Sequence, residues 1–315
     1  MRNEIFFHSP RRSLGGRLDY RLIPFSDRLR QALVEIKVPH QFIDRDDFSL
    51  RNAAGKNHIT FHTNKSDPKY INWKDGYLDD YHYFDPSGFS GYSAIVDQRF
   101  SPDQVDRKMA ERFYDDLSEK YIATGRTKWD PLGLAYKASQ VPKIPAGSIV
   151  VFLQVHNDVT MKLAYTSNEK MIAATLRNRN GRAVYIKRHP KCSSIEVTAM
   201  LKKYACDRSD VYITRGHVHH LVEQAGLVVC MNSGAGFEAL LQCVPVVTFA
   251  KSDYHHVSFT VRNIEMADSV FSKVQTKEMR IKKYLYWYLK QKMVSPLDEN
   301  FTEKIADTMA KQGWL

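Results

Sequence analysis

The sequence predicts an α/β fold built on a doubly wound parallel sheet, and three observations predict it. From Gly147 onward, short β-branched apolar runs alternate with helix-like stretches, the pattern of βαβ units. The runs are continuously apolar, so both faces of each strand are buried and helices must cover both sides of the sheet. The residues immediately after the runs are polar, which is where open parallel sheets hold their ligands.

In chain order, the N-terminal half offers strands at 4–7 and 59–62 and helices at 27–36 and 102–124. The stretch 140–147 (QVPKIPAG) carries the proline and glycine punctuation of a linker. Strands follow at 148–154 (SIVVFLQ), 183–187 (AVYIK), 210–213 (DVYI), 227–230 (LVVC) and 245–249 (PVVTF), with helices at 165–178, 194–205, 217–225 and 235–242. Two terminal helices, 276–293 and 298–312, complete the chain. The expected division is an N-terminal domain over 1–143, a Rossmann-like domain over 144–275, and terminal helices over 276–315 that pack back on both.

With 315 residues, 43% of them apolar and 26% charged, the chain is long enough for two domains and ordinary for a globular protein. It lacks any run of about 18 apolar residues and opens without the apolar stretch of a signal peptide, so a cytoplasmic protein is expected. Four cysteines (Cys192, Cys206, Cys230, Cys243) form no CxxC pair and lie in or beside apolar segments, as buried thiols do. The net charge of +11 favours anionic partners. The basic residues are dispersed, with no zinc finger or RNA-recognition signature, so no nucleic-acid partner is expected.

Residues 232–236 (NSGAG) carry the clearest chemistry. A strand that runs into a small glycine-containing turn and then a helix presents backbone N–H groups and a helix dipole to an anion. Asn232, Ser233, Gly234, Ala235 and Gly236 would hold a phosphate there, and Glu238 in the first turn would accept from ribose hydroxyls or complement the dipole. The other reading is a tight turn with an N-cap serine. His189 and Pro190 follow a strand bearing Lys187 and Arg188, a basic turn suited to a nucleotide phosphate or simply to the surface. Asp158, four residues after Gln154 at a strand end, is a candidate nucleophile, with an N-cap aspartate as the alternative. Arg215 follows the third run. The histidines 217, 219 and 220 lack an acidic or cysteine ligand at suitable spacing and read as an exposed helix start. In the N-terminal half, 83–93 (YFDPSGFSGYS) has the aromatic and hydroxyl composition of a sugar-contacting loop, with Asp85 and Asp97 as candidate general acid or base. The aromatic, basic helix around 280–292 suits either a membrane face or packing on the protein.

Taken in order, QVHND (154–158), the strand-borne KRHP (187–190) and LVVCMNSGAGFEALLQCVPVVTF (227–249) resemble the retaining β-Kdo transferases of capsule polysaccharide synthesis in Gram-negative bacteria. The resemblance covers 148–254, with a weaker echo at 84–93 (FDPSGFSGYS). It implies a GT-B type fold, two Rossmann-like domains facing each other across a cleft, with CMP-Kdo as donor and a glycan or lipid-linked saccharide of capsule or lipopolysaccharide as acceptor. It also implies Asp158 as the nucleophile, His189 and Ser233 on the phosphate, Glu238 near the nucleotide, and Lys187, Arg188 or Arg215 on the donor carboxylate. No obligatory metal or other cofactor is expected. Related sequences read GYSGWSE where this chain has FSGYSA (89–94), which leaves the acid or base open between Asp85 and Asp97. A GT-B enzyme using a UDP- or GDP-sugar, or an epimerase, shares these features. A basic, non-catalytic adaptor docking on nucleic acid or peripherally on the inner membrane is the reading from another class.

Overall fold

The structure is a computed structural model and describes residues 4–10, 23–45, 55–138, 143–207 and 210–315. The chain forms two compact units, Met1–Arg99 with Tyr288–Leu315, and Phe100–Trp287.

In the first unit, strands β1 (Ile5–Ser9), β2 (His40–Asp44), β3 (Asn57–Phe61), β4 (Tyr70–Asp75) and β5 (His82–Asp85) form a sheet in the order β2-β1-β3-β4-β5. Pairing is parallel except between β4 and β5. Helices α1 (Ile23–Glu35) and α10 (Phe301–Lys311) contribute Phe25, Leu29, Phe301 and Ile305 to one core with Ile5, Phe7, Ile59 and Trp73 of the strands. Phe25 stacks on Trp73 at 5.1 Å and meets Phe301 edge-on at 5.7 Å. The expected strands at 4–7 and 59–62 are here; β2, β4 and β5, short and mixed in polarity, were not legible as periodic runs.

The second unit opens with α2 (Arg107–Leu117), capped by Asp106, which accepts from the Met109 N–H at 2.8 Å. After α3 (Leu134–Ala138) it continues through β6 (Ser148–Phe152), α4 (Asn168–Arg177), β7 (Val184–Lys187), α5 (Ile195–Asp207), β8 (Val211–Thr214), α6 (Val218–Gln224), β9 (Ala225–Cys230), α7 (Gly234–Leu241), β10 (Val246–Thr248), β11 (Phe259–Thr260), α8 (Ala267–Phe271) and α9 (Glu278–Tyr286). The strand order β11-β10-β9-β6-β7-β8 is wholly parallel. The sheet runs outward from β6 in one direction through β7 and β8, then in the other through β9, β10 and β11. This puts the topological switch point between β6 and β9. Every residue of β6 and the last four of β9 are buried, as two-sided cover demands.

The units part at Arg99/Phe100, whereas the sequence reading placed the boundary in 140–147. The reason is packing. Helix α2 lies on α9, with Phe113 edge-on to Tyr286 at 5.6 Å and Lys282 over the Tyr114 ring at 4.4 Å. That fixes 100–124 in the second unit. Gly147, at φ +81°, marks only the turn into β6; residues 140–142 of the expected linker lie outside the described residues. The aromatic face of α9 is also used internally. Tyr284 is fully buried, donates to the Asp253 carbonyl at 2.9 Å and packs edge-on against Phe100. Packing therefore accounts for that face without a membrane. No helix among the described residues is long and apolar enough to cross a membrane. Cys192 and Cys230 are buried as expected, but Cys206 is exposed on α5.

Candidate active site at the carboxyl ends of the second sheet

The loops after β6 and β9 flank the switch point, and they are tied together. Asn232, 2% exposed, donates through Nδ2 to the carbonyls of Thr160 and Lys251, both at 3.1 Å. Its Nδ2 therefore braces the loop after β9 against the loops after β6 and β10. Asp158 caps the short 3-10 turn Val159–Leu163, its Oδ1 accepting from the Thr160 N–H at 2.8 Å and from the Thr160 hydroxyl at 2.7 Å. Gln154 donates in turn to the Thr160 hydroxyl. The chain Gln154, Thr160, Asp158 fixes one carboxylate oxygen and leaves the half-buried group a second one for chemistry. Gln154 is thus a support of Asp158, and Thr160, which the sequence reading passed over, is the link between them.

After β9, Ser233 is the N-cap of α7 and accepts from the Ala235 N–H at 3.3 Å, while the Gly236 N–H bonds to the Ser233 carbonyl at 3.0 Å. Both readings of the turn hold together: the serine caps, and Gly234 at the first helical position turns its N–H outward, where the helix dipole favours an anion. Gly236 serves packing, since a Cβ there would meet Cys230 Sγ and the Tyr254 hydroxyl, each at 2.8 Å. Tyr254 in turn donates to the Ser233 carbonyl at 2.9 Å. Glu238 lies one turn beyond Gly234 on the same helical face. Burial pushes its carboxyl up to about 8, although Lys128 and Lys187 both pull it down.

At the end of β7, Lys187 donates to the carbonyls of Arg215 (3.2 Å) and Gly216 (2.7 Å), and burial lowers its ammonium while Glu238 opposes the shift. Arg188 turns away from the site, giving its guanidinium to Thr198 Oγ1 (2.7 Å), the Ser194 carbonyl (2.8 Å) and Cys192 Sγ (3.7 Å). Its expected donor contact is replaced by a role in shaping the loop into α5. His189 accepts from the Lys191 N–H at Nδ1 (3.1 Å), which leaves Nε2–H as its donor. Burial holds this imidazole below its ordinary value, with Asp158 opposing and Lys191 and Lys187 adding to the shift. His189 and Asp158 therefore share one electrostatic neighbourhood. Pro190 and Arg215 are exposed beside them.

The histidines after β8 are not an exposed helix start. His219 is 2% exposed and donates from Nε2 to the Arg126 carbonyl at 3.0 Å, accepting at Nδ1 from Gln242 at 3.1 Å. His217 caps α6 through Nδ1 and points Nε2 toward Asp130, 3.7 Å away. Burial, with His219 next in weight, brings it down to about 4, so it is neutral at physiological pH. Among the described residues no group of three or more His, Cys, Asp or Glu is placed to hold a metal.

These contacts bring in a turn that no motif announced. Residues 127–130 are locked by reciprocal backbone bonds between Thr127 and Asp130 (3.1 and 3.2 Å) and by the Thr127 hydroxyl, which accepts from the N–H groups of Trp129 and Asp130. Asp130 then accepts from three N–H groups of α3. From this rigid turn Lys128 reaches the field of Glu238, Trp129 meets the His189 ring edge-on at 6.3 Å, and Asp130 faces His217. The signal in sequence was only a tryptophan between a lysine and an aspartate.

The sequence profile of the capsule polysaccharide biosynthesis protein family matches residues 127–286, just over half of the chain. The chain belongs to this family. The matched segment begins at the 127–130 turn and takes in every strand-end residue described above. Two solved structures from Thermosulfurimonas dismutans are similar in fold at 14% identity: KpsC, beta Kdo 2,4 transferase (TM-score 0.53, covering 90% of each chain) and KpsC, beta Kdo 2,7 transferase (TM-score 0.50, covering 98% of this chain and all of that one). Both likenesses span the two units and give the GT-B type fold expected from the sequence. No curated protein sequence matches this chain significantly.

Outside the matched segment, this capsule-family chain carries the loop after β5. Asp85, 5% exposed, accepts from the N–H groups of Ser87 (2.8 Å), Gly88 (2.9 Å) and Ala94 (3.1 Å) and from the Ser93 hydroxyl (2.6 Å). Burial raises its carboxyl against those bonds. A carboxylate saturated in this way organises the loop and has no lone pair left for proton transfer. Phe89 is buried too, against His62 at 5.1 Å. The loop is thus held by its own unit, and its aromatic residues do not form an open sugar platform. Asp97 ends the 3-10 turn Ala94–Asp97 with its side chain exposed. Asp85→Ala is expected to destabilise the first unit by about 2–4 kcal/mol, since four donors lose their acceptor; urea unfolding read by tryptophan fluorescence measures it.

Proposed function

We propose that the chain is a retaining β-Kdo glycosyltransferase that moves Kdo from CMP-Kdo to a glycan or lipid-linked acceptor in capsule biosynthesis, on the cytoplasmic side. The observation that carries this reading is the grouping at the carboxyl ends of β6, β7 and β9 of a braced carboxylate, Asp158, a neutral imidazole with Nε2–H as its donor, His189, and the N-terminus of α7. Phosphate binding belongs to the Gly234 N–H, the helix dipole and His189. Asp158 is then the nucleophile. Its free oxygen attacks the anomeric carbon, the C–O bond to CMP breaks, and CMP leaves with its phosphate charge met by His189 and α7. The acceptor hydroxyl displaces Asp158 in a second inversion, which restores the configuration. Asp97, exposed and unsaturated, suits the base that takes the acceptor proton better than Asp85 does. Glu238 faces the ribose.

Thermal-shift titration separates the donor classes. CMP is expected to raise Tm in proportion to occupancy, while UDP and GDP at the same concentration leave it unmoved. Stabilisation by UDP or GDP alone would remove CMP-Kdo as the donor.

A further inference from the structure

The cations near His189 are held in different ways. Lys187 gives two of its three donors to the Arg215 and Gly216 carbonyls, and Arg188 is taken up by Thr198, Ser194 and Cys192. Lys191 is exposed, and its ammonium rests 3.9 Å from the centre of the Trp129 ring. The ring itself stands edge-on to His189 at 6.3 Å and is 52% exposed. The Lys191 backbone N–H meanwhile donates to His189 Nδ1 at 3.1 Å and ties the two residues together. A cation laid on an indole face has part of its water removed and its rotamers restricted, yet keeps its N–H donors for a ligand. No carboxylate pairs with Lys191 among the described residues. The 127–130 turn, closed by its own backbone bonds, fixes the backbone from which Trp129 projects.

We propose that Lys191, seated on Trp129 beside His189, is the carboxylate-binding residue of this site and takes the carboxylate of a 2-keto sugar acid. The inference rests on the transferase reading above and adds the residue that recognises the acidic sugar. In such a sugar the carboxylate carbon is bonded directly to the anomeric carbon. It therefore lies within a few ångströms both of the leaving phosphate and of the attacking oxygen. Asp158 would approach that carbon against the sugar's own negative charge, and a cation on the His189 side offsets the repulsion. Of the residues the sequence offered for this role, Lys187 has two of its donors and Arg188 its terminal nitrogens committed elsewhere, while Arg215 is exposed on the loop after β8.

The carboxylate can come from the donor or from an acidic sugar at the acceptor terminus, and kinetics on the full chain distinguish them. In Lys191→Met, CMP affinity is expected to stay within about twofold, the saturation-transfer NMR signal of free Kdo to disappear, and KM for CMP-Kdo to rise about tenfold. Lys191→Arg restores most of the loss, and Trp129→Ala gives an intermediate KM with CMP affinity retained. A rise confined to the acceptor KM assigns the carboxylate to the acceptor. Free Kdo bound equally by wild type and Lys191→Met with neither KM changed overturns the proposal, as does a wild type that gives no Kdo signal. A wild type that binds Kdo but shows no response to CMP sinks the donor reading and leaves the carboxylate site standing.

Discussion

Asp158→Asn is expected to lower transfer from CMP-Kdo by at least about a thousandfold while CMP binding stays within twofold of wild type. The substitution is nearly isosteric, and the amide oxygen still accepts from the Thr160 N–H and hydroxyl, so the turn Val159–Leu163 keeps its shape. What is lost is the anionic oxygen that bonds to the anomeric carbon. The measurement is a single-turnover assay beside a calorimetric CMP titration. Retention of more than a tenth of the wild-type rate would exclude Asp158 as nucleophile. Gln154→Ala and Thr160→Val act on the same carboxylate from behind and are expected to lower kcat with less effect on KM.

The second large effect is on stability. Glu238→Gln should stabilise the protein by about 4 kcal/mol at pH 8 and by almost nothing near pH 4.5. In the unfolded chain this carboxyl ionises with the ordinary value of 4.5, whereas in the folded protein burial holds it up at about 8. Between those values the unfolded state releases a proton that the folded state keeps, so wild-type stability falls as pH rises through this window and levels off above it. Glutamine does not titrate and escapes the loss. The check is the difference in Tm between variant and wild type from pH 4.5 to 8.5. A difference that stays flat with pH would show that Glu238 is ionised in the folded protein and paired more closely with Lys128 and Lys187 than burial allows.

Much of the second unit was legible in the chain. Continuous apolar runs such as SIVVF and LVVC can be buried only as central parallel strands, and the helices between them fell within a few residues of α4 to α7. A strand running into NSGAG and a helix is a local pattern, and its capping serine formed as that pattern requires. The first unit was read less well because β2 and β4 alternate weakly and β5 is four residues long.

The sequence alone determined the fold class and which strand ends carry polar chemistry, because both follow from interactions between residues close in the chain. The direction of each side chain within that set was decided by tertiary structure. Arg188 and Lys191 are three residues apart on one basic turn, yet one is spent on Thr198 and Ser194 and the other lies on Trp129, more than sixty positions earlier in the chain. Asn232 reads like a ligand contact until its amide is found joining the carbonyls of Thr160 and Lys251. The 127–130 turn matters only through what it touches, His189, His217 and the field of Glu238. Such contacts are made across long sequence separations, and no local pattern of residue types encodes them.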